Sequence, residues 1–158
     1  MIKVICHMRT TILSLLFLIS SSSFAQEAKD TKIIVRTKSK DAKFIGTSMG
    51  GSMIIIRDAA TEEILAKGLT TGGTGNTELI MNTPKERYTE IAEGAAGFEA
   101  TLSLTRPQFV TIEAFAPVNH EESRVAAQTQ VWLIPGKHLD GEGIILEIPG
   151  FVVDGLYP

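Results

Sequence analysis

The chain is almost without cysteine. Its one cysteine, Cys6, stands ahead of an apolar run near the N-terminus. Everything after it lacks a thiol for a disulfide or a metal, so stability must come from packing. Aromatic residues make up 6% of the chain, with one tryptophan, Trp132, and two tyrosines, Tyr88 and Tyr157. That argues against a sugar-stacking platform, which needs several exposed rings. Beyond His7 the histidines are His120 and His138, both in polar, turn-like contexts. No apolar run reaches the roughly 20 residues of a spanning helix. No block of like charge and no basic stripe occurs, so nucleic acid and lipid surfaces are not indicated.

Acidic residues are missing before Glu27, whereas Lys3 and Arg9 make the start positive. The apolar run Ile12 to Ile19 follows, then Ser20 to Ser23, Phe24 and Ala25. Ser23 and Ala25 place small residues at the −3 and −1 positions of a signal-peptidase site. Residues 1–25 therefore read as a signal peptide, with Met8 an alternative start. Cys6 precedes the apolar run and is not placed as a lipoprotein cysteine. The expected mature chain begins at Gln26, is periplasmic or secreted, and has no membrane span. The chain carries 15 basic and 18 acidic residues, and without Lys3 and Arg9 the balance is 13 against 18, a net of −5. About 130 residues can bury about two-thirds of their unfolded surface, enough for one domain.

Residues 26–31 are polar and read as a flexible N-terminus, with a sandwich domain over 32–158. The β-branched run Lys32 to Thr37 reads as a strand. Ser52 to Arg57 is a second, apolar enough to be buried on both faces, and Glu63 to Leu69 returns from it as a hairpin. Thr70 to Asn76 is glycine-rich and reads as a flexible loop. The stretch from Glu78 to Ala96 has no apolar periodicity and reads as a long loop, with helical turns expected in Lys85 to Glu93. Phe98, Ala100, Leu102 and Leu104 alternate with polar residues, as a half-buried strand requires. Val110, Ile112 and Ala114 mark the next strand. Val125 to Ile134, Ile144 to Ile148 and a short edge at Phe151 to Val153 follow. Seven to eight strands without alternating helices predict an all-β fold, a single transthyretin-like or immunoglobulin-like β-sandwich.

Gly46-Thr47-Ser48-Met49-Gly50 fits G-x-S-x-G, the pattern of a nucleophile elbow. GTSM also looks like the segment around the reactive serine of subtilisin-like proteases. An elbow needs a helix after the serine, and here Met53 to Ile56 favours a strand. A chain order Ser48, Asp58, His120 can be written, but acidic residues are too common for it to discriminate. Gly46, Gly50 and Gly51 are expected to shape a turn instead. Gly72-Gly73-Thr74-Gly75 lacks the Gly-Lys-Ser/Thr ending of a phosphate loop. His138, Asp140 and Glu142 alternate in an expected turn and lack a second histidine. Trp132, beside Val131, Leu133 and Ile134, is expected in the core. No catalytic residue, metal or cofactor is therefore expected.

Gly50 to Gly75, GGSMIIIRDAATEEILAKGLTTGGTG, resembles the carboxypeptidase regulatory-like domains of the transthyretin-like superfamily. Ile54, Ile56, Asp58, Thr61, Leu65, Gly68 and Thr70 fall on their pattern. Glu62 replaces the usual glycine, and Asn76 to Ala96 is longer than their usual spacing. The resemblance implies a seven- or eight-stranded packing module attached to exported enzymes or outer-membrane receptors. The catalytic branch, the hydroxyisourate hydrolases, ends in Tyr-Arg-Gly-Ser, whereas this chain ends Gly155-Leu156-Tyr157-Pro158. The expected function is non-enzymatic binding of a protein or cell-envelope component. Asn76, Lys85, Arg87 and Tyr88 are the candidate partner-binding residues, because a long loop on a rigid sandwich favours recognition. The alternatives are a small hydrolase, using Ser48 or divergent transthyretin-like residues, and a carbohydrate-binding module using Trp132, Tyr88 or Tyr157.

Overall fold

The computed structural model of the chain describes residues 26–119, 121–122 and 124–150. The expected signal peptide, His120, Tyr157 and the expected edge at 151–153 lie outside them. Eight strands follow in order: β1 (Lys29–Ser39), β2 (Met53–Asp58), β3 (Ile64–Leu69), β4 (Thr71–Thr74), β5 (Ala95–Leu104), β6 (Gln108–Ala116), β7 (Val125–Leu133) and β8 (Leu139–Ile148). They form two four-stranded sheets, β4-β5-β1-β8 and β3-β2-β6-β7. The fold is the all-β sandwich that the alternating segments require.

Alternation sets the inner faces. Ile33 and Val35 of β1, Ile54 and Ile56 of β2, and Val110 and Ile112 of β6 are fully buried in one cluster between the sheets. Each such side chain stabilises the fold by about 1.5–3 kcal/mol relative to exposure. Ile55, on the other face of β2, is also buried, as its unbroken apolar run predicts. All strand pairs are antiparallel except β1 with β8. That parallel pair shifts register between Ile33 and Val35. Gly143 sits at the irregularity with φ +69°, and a Cβ there would lie 2.3 Å from the Ile34 carbonyl oxygen.

Four expectations are corrected. Residues 29–31 are not loose but open β1. Thr31 is fully buried, donates to the Ile134 carbonyl (3.3 Å) and accepts from the Gly136 amide (3.0 Å), which fastens the chain start to the β7–β8 turn. The glycine-rich 70–76 stretch contains β4, paired with β5, because its glycines allow close backbone approach. A Cβ on Gly72, whose φ is +127°, would lie 3.0 Å from the Ala96 Cα of β5. β8 begins at Leu139, so Asp140 and Glu142 belong to a strand rather than a turn. In the long connection the helical turn is a π turn at Glu78–Asn82, ahead of Pro84, and not in Lys85 to Glu93.

The long connection also has its own small core. Ile80, Ile91 and Ala92 pack on Phe44, with Ile145 beside them. Ile145 points away from the inter-sheet core that holds its neighbours Ile144 and Leu146. The connection therefore covers part of the outer face of the β4-β5-β1-β8 sheet.

Candidate functional site

Ser48 is exposed on a 3-10 turn, Thr47–Met49, and strand β2 follows instead of a helix. Gly50 and Gly51 take left-handed conformations, φ +85° and +72°, and the Gly51 amide closes the turn on the Gly46 carbonyl at 3.1 Å. The Thr70 hydroxyl accepts from the Ser52 amide (2.8 Å) and donates to the Ile45 carbonyl (3.2 Å), anchoring both ends of the stretch. Ser48 precedes β2 and Asp58 ends it, so an extended strand on the order of 16 Å long separates them. The order Ser48, Asp58, His120 is therefore not assembled at its first two members.

His138 and Glu142 serve as braces. His138 Nδ1 accepts from the Lys32 amide (3.0 Å), and Glu142 Oε1 accepts from the Ile91 amide (3.0 Å). Among the described residues no group of three His, Cys, Asp or Glu could hold a metal ion. Arg36, which the sequence reading did not single out, joins three segments. Its Nε donates to the Glu142 carbonyl and its Nη2 to the Gly141 carbonyl, each at 3.2 Å, and its Nη1 donates to the Ala95 carbonyl. Burial pushes its pKa below the usual arginine value, and the Glu142 charge opposes that. Five fixed donors suit this task, because they reach several carbonyls at once.

The loop candidates divide. Asn76 is spent locally: its Oδ1 accepts from the Glu78 (2.9 Å) and Leu79 (3.3 Å) amides and caps the π turn. Lys85, Arg87 and Tyr88 are exposed, Tyr88 at 91% and with a left-handed φ of +72°.

The other sheet presents a different surface. On its outer face the strand registers align Leu69, Met53, Phe115 and Ala126 in one row from β3 to β7. The next row aligns Lys67, Ile55, Glu113 and Gln128. Arg57 and Glu113 bridge β2 and β6 with an ion pair of 3.1 Å. At the far end, Phe109 and Trp132 face each other with ring centroids 5.0 Å apart, tilted 35°. Trp132 is 61% exposed, which corrects its expected place in the core. The signal was present in the sequence. Trp132 shares its parity with Gln128 and Gln130, whereas Thr129, Val131 and Leu133 take the inner side.

Beside Trp132 lies an open cleft of about 440 Å³, lined by Asp58, Ser103, Arg106, Gln108 and Phe109 among others. Gln108 Nε2 donates to Asp58 Oδ2 at 2.7 Å, and the Ala60 and Thr61 amides donate to its Oδ1 at 2.8 Å. These donors, Gln108 foremost, hold the Asp58 carboxyl down to about 2. The cleft thus combines an aromatic wall with a fixed carboxylate and an exposed arginine. No protein-family model, curated protein or solved structure matches the chain.

Proposed function

We propose that the chain is an exported, non-catalytic β-sandwich that binds a protein or cell-envelope component through the outer face of its β3-β2-β6-β7 sheet. The carrying observation is the contrast between the two outer faces. One is partly covered by the chain's own connection, whose Ile80, Ile91 and Ala92 are buried against Phe44. The other is bare yet apolar at Leu69, Ile64 and Trp132, which are 43%, 48% and 61% exposed. Leu69 continues into an apolar row with Met53 and Phe115, and contiguous apolar surface marks an interaction site more often than isolated exposed residues do. The transthyretin-like resemblance of Gly50 to Gly75, with its packing modules, agrees with this role. Lys85, Arg87 and Tyr88, on the connection over the other sheet, offer a second, separate contact.

The test is capture of envelope components by the tagged chain, with identification by mass spectrometry. Trp132→Ala and Leu69→Lys should each lower recovery of the same partner while the thermal melt stays cooperative. Tyr88→Ala should lower it less. Undiminished recovery by both face variants would sink this reading.

Carbohydrate binding is the second reading, favoured by the exposure of Trp132 beside Asp58, Arg106 and Gln108. Aromatic faces stack on apolar ligand faces while carboxylate and amide groups take hydroxyls. Titration with envelope polysaccharides would then change Trp132 emission. Trp132→Ala would abolish that binding, and Leu69→Lys, at the other end of the sheet, would spare it.

A further inference from the structure

Each sheet edge in a sandwich offers unpaired backbone groups, and proteins ordinarily blunt such edges with charge, glycine, irregularity or short length. Three of the four edges here are treated in that way. β3 carries Lys67 and a register shift. β4 has four residues, two of them glycine. β8 carries Asp140, Glu142 and Glu147, and its Gly141 and Gly143 have positive φ. β7 is different. Its nine residues, VAAQTQVWL, include no charge, no proline and no glycine. Among the described residues it pairs with β6 alone.

We infer that β7 pairs antiparallel with β7 of a second copy, about a two-fold axis through Thr129. The occupant is argued from the strand's own sequence. Centred on Thr129, the register runs the strand against itself from end to end. Val125 then faces Leu133, Ala127 faces Val131 and Thr129 faces itself, all on the inner side. On the outer side Gln128 faces Gln130, and the small Ala126 faces the large Trp132. Every pair matches in polarity, and no like charges meet, as a closed isologous interface requires. Threonine pairs are among the favourable cross-strand combinations. Gln130 already donates its Nε2 to Thr111 Oγ1 at 3.1 Å, which leaves its amide oxygen to accept from Gln128 of the other copy.

The outer face supplies an independent argument. The apolar row Leu69, Met53, Phe115 ends at exposed Ala126. The proposed register continues it directly onto Trp132 and Phe109 of the second copy. Trp132 gains a neighbour on its open side, and the two sheets become one, with the binding face running across the axis.

Sedimentation equilibrium on the full chain, as isolated, tests this over a wide concentration range. The wild type should reach the mass of a dimer. Gln128→Lys with Gln130→Lys sets like charges opposite each other twice across the axis and should raise the dissociation constant at least about tenfold. Gln128→Lys with Gln130→Glu sets opposite charges there and should keep the dimer, more tightly at low salt. Both pairs of changes lie on exposed positions, so circular dichroism should match the wild type. A wild type that stays monomeric overturns the proposal, as do two variants that associate equally. If the wild type is monomeric and removal of 151–158 produces dimers, the chain's own tail covers the edge, and the proposal is again overturned.

Discussion

Asp58 and Trp132 owe their properties to neighbours that come from other strands. Asp58 ends β2 and accepts from two amides of the turn that follows and from Gln108 of β6. All three bonds favour the ionised form, so its folded pKa of about 2 lies below that of an unfolded aspartate, about 3.9. The stabilisation is therefore complete above the unfolded value and disappears as pH falls through the folded one. Asp58→Asn should lower the melting temperature by a constant amount near neutrality. Below about pH 4 the difference from wild type should shrink, towards none near pH 2. Thermal melts across that range check it. Trp132 gives a second prediction. As the only tryptophan, it reports its own surroundings, and its emission should be quenched efficiently by iodide. Trp132→Ala should cost only about 0.5–1.5 kcal/mol, the worth of its contact with Phe109. A shielded Trp132 would contradict the face described here.

Elements with strict alternation were legible in the sequence, and those held by distant contacts were not. β5 and β6 repeat every second residue, so their inner faces at Leu104, Val110, Ile112 and Ala114 follow from pattern alone. β7 alternates as well, but its polar partners are glutamines, and tryptophan's usual burial masks the parity that turns Trp132 outward. β4 was hidden because Thr71–Thr74 is half glycine, a residue with little strand preference. It is a strand only because β5 lies beside it. The connection between β4 and β5 has no period, since its buried residues meet Phe44 and Ile145 from far along the chain. The small core gives the connection a share in the stability of the sandwich. A Gly-Ser linker in place of Glu78 to Glu93 strips the cover from Phe44, so the melting midpoint should fall. Phe44→Ala, at a fully buried ring, should cost about 3–5 kcal/mol in denaturant melts. In β2, Ile56→Asp buries an unpaired charge and should unfold the domain, whose whole stability is about 5–15 kcal/mol. Ile55→Asp should be milder, because Ile55 lies on the outer face between Lys67 and Glu113.

At the scale of the molecule, the order of the chain decides how the sandwich closes. β1, the first strand, occupies the interior of its sheet, between β5 and β8. β8, the last strand among the described residues, completes that sheet by their only parallel pairing. Two adjacent strands at opposite ends of the chain must therefore meet before Val35 and Leu146 can share one core. Arg36 secures that junction, bonding to the Glu142 carbonyl across 106 residues of sequence and also to the Ala95 carbonyl. Such distant pairing makes folding slow, on the order of milliseconds to seconds. It also makes the fold indivisible: β8 adds Leu146 to the main cluster and Ile148 to a second one with Ile45 and Ala116. A chain ending at Ile134 keeps every residue of the β3-β2-β6-β7 sheet, yet it uncovers one side of β1 and removes cores from both clusters. It should show no cooperative thermal transition. Arg36→Ala keeps all strands and releases only the junction, so it should melt cooperatively, about 1.5–3 kcal/mol less stable than wild type. Arg36→Lys should recover little of that loss, since a single ammonium cannot reproduce the planar fork that reaches both segments. Equal stability of Arg36→Ala and wild type in urea titrations would show that the sheet closes without this clamp.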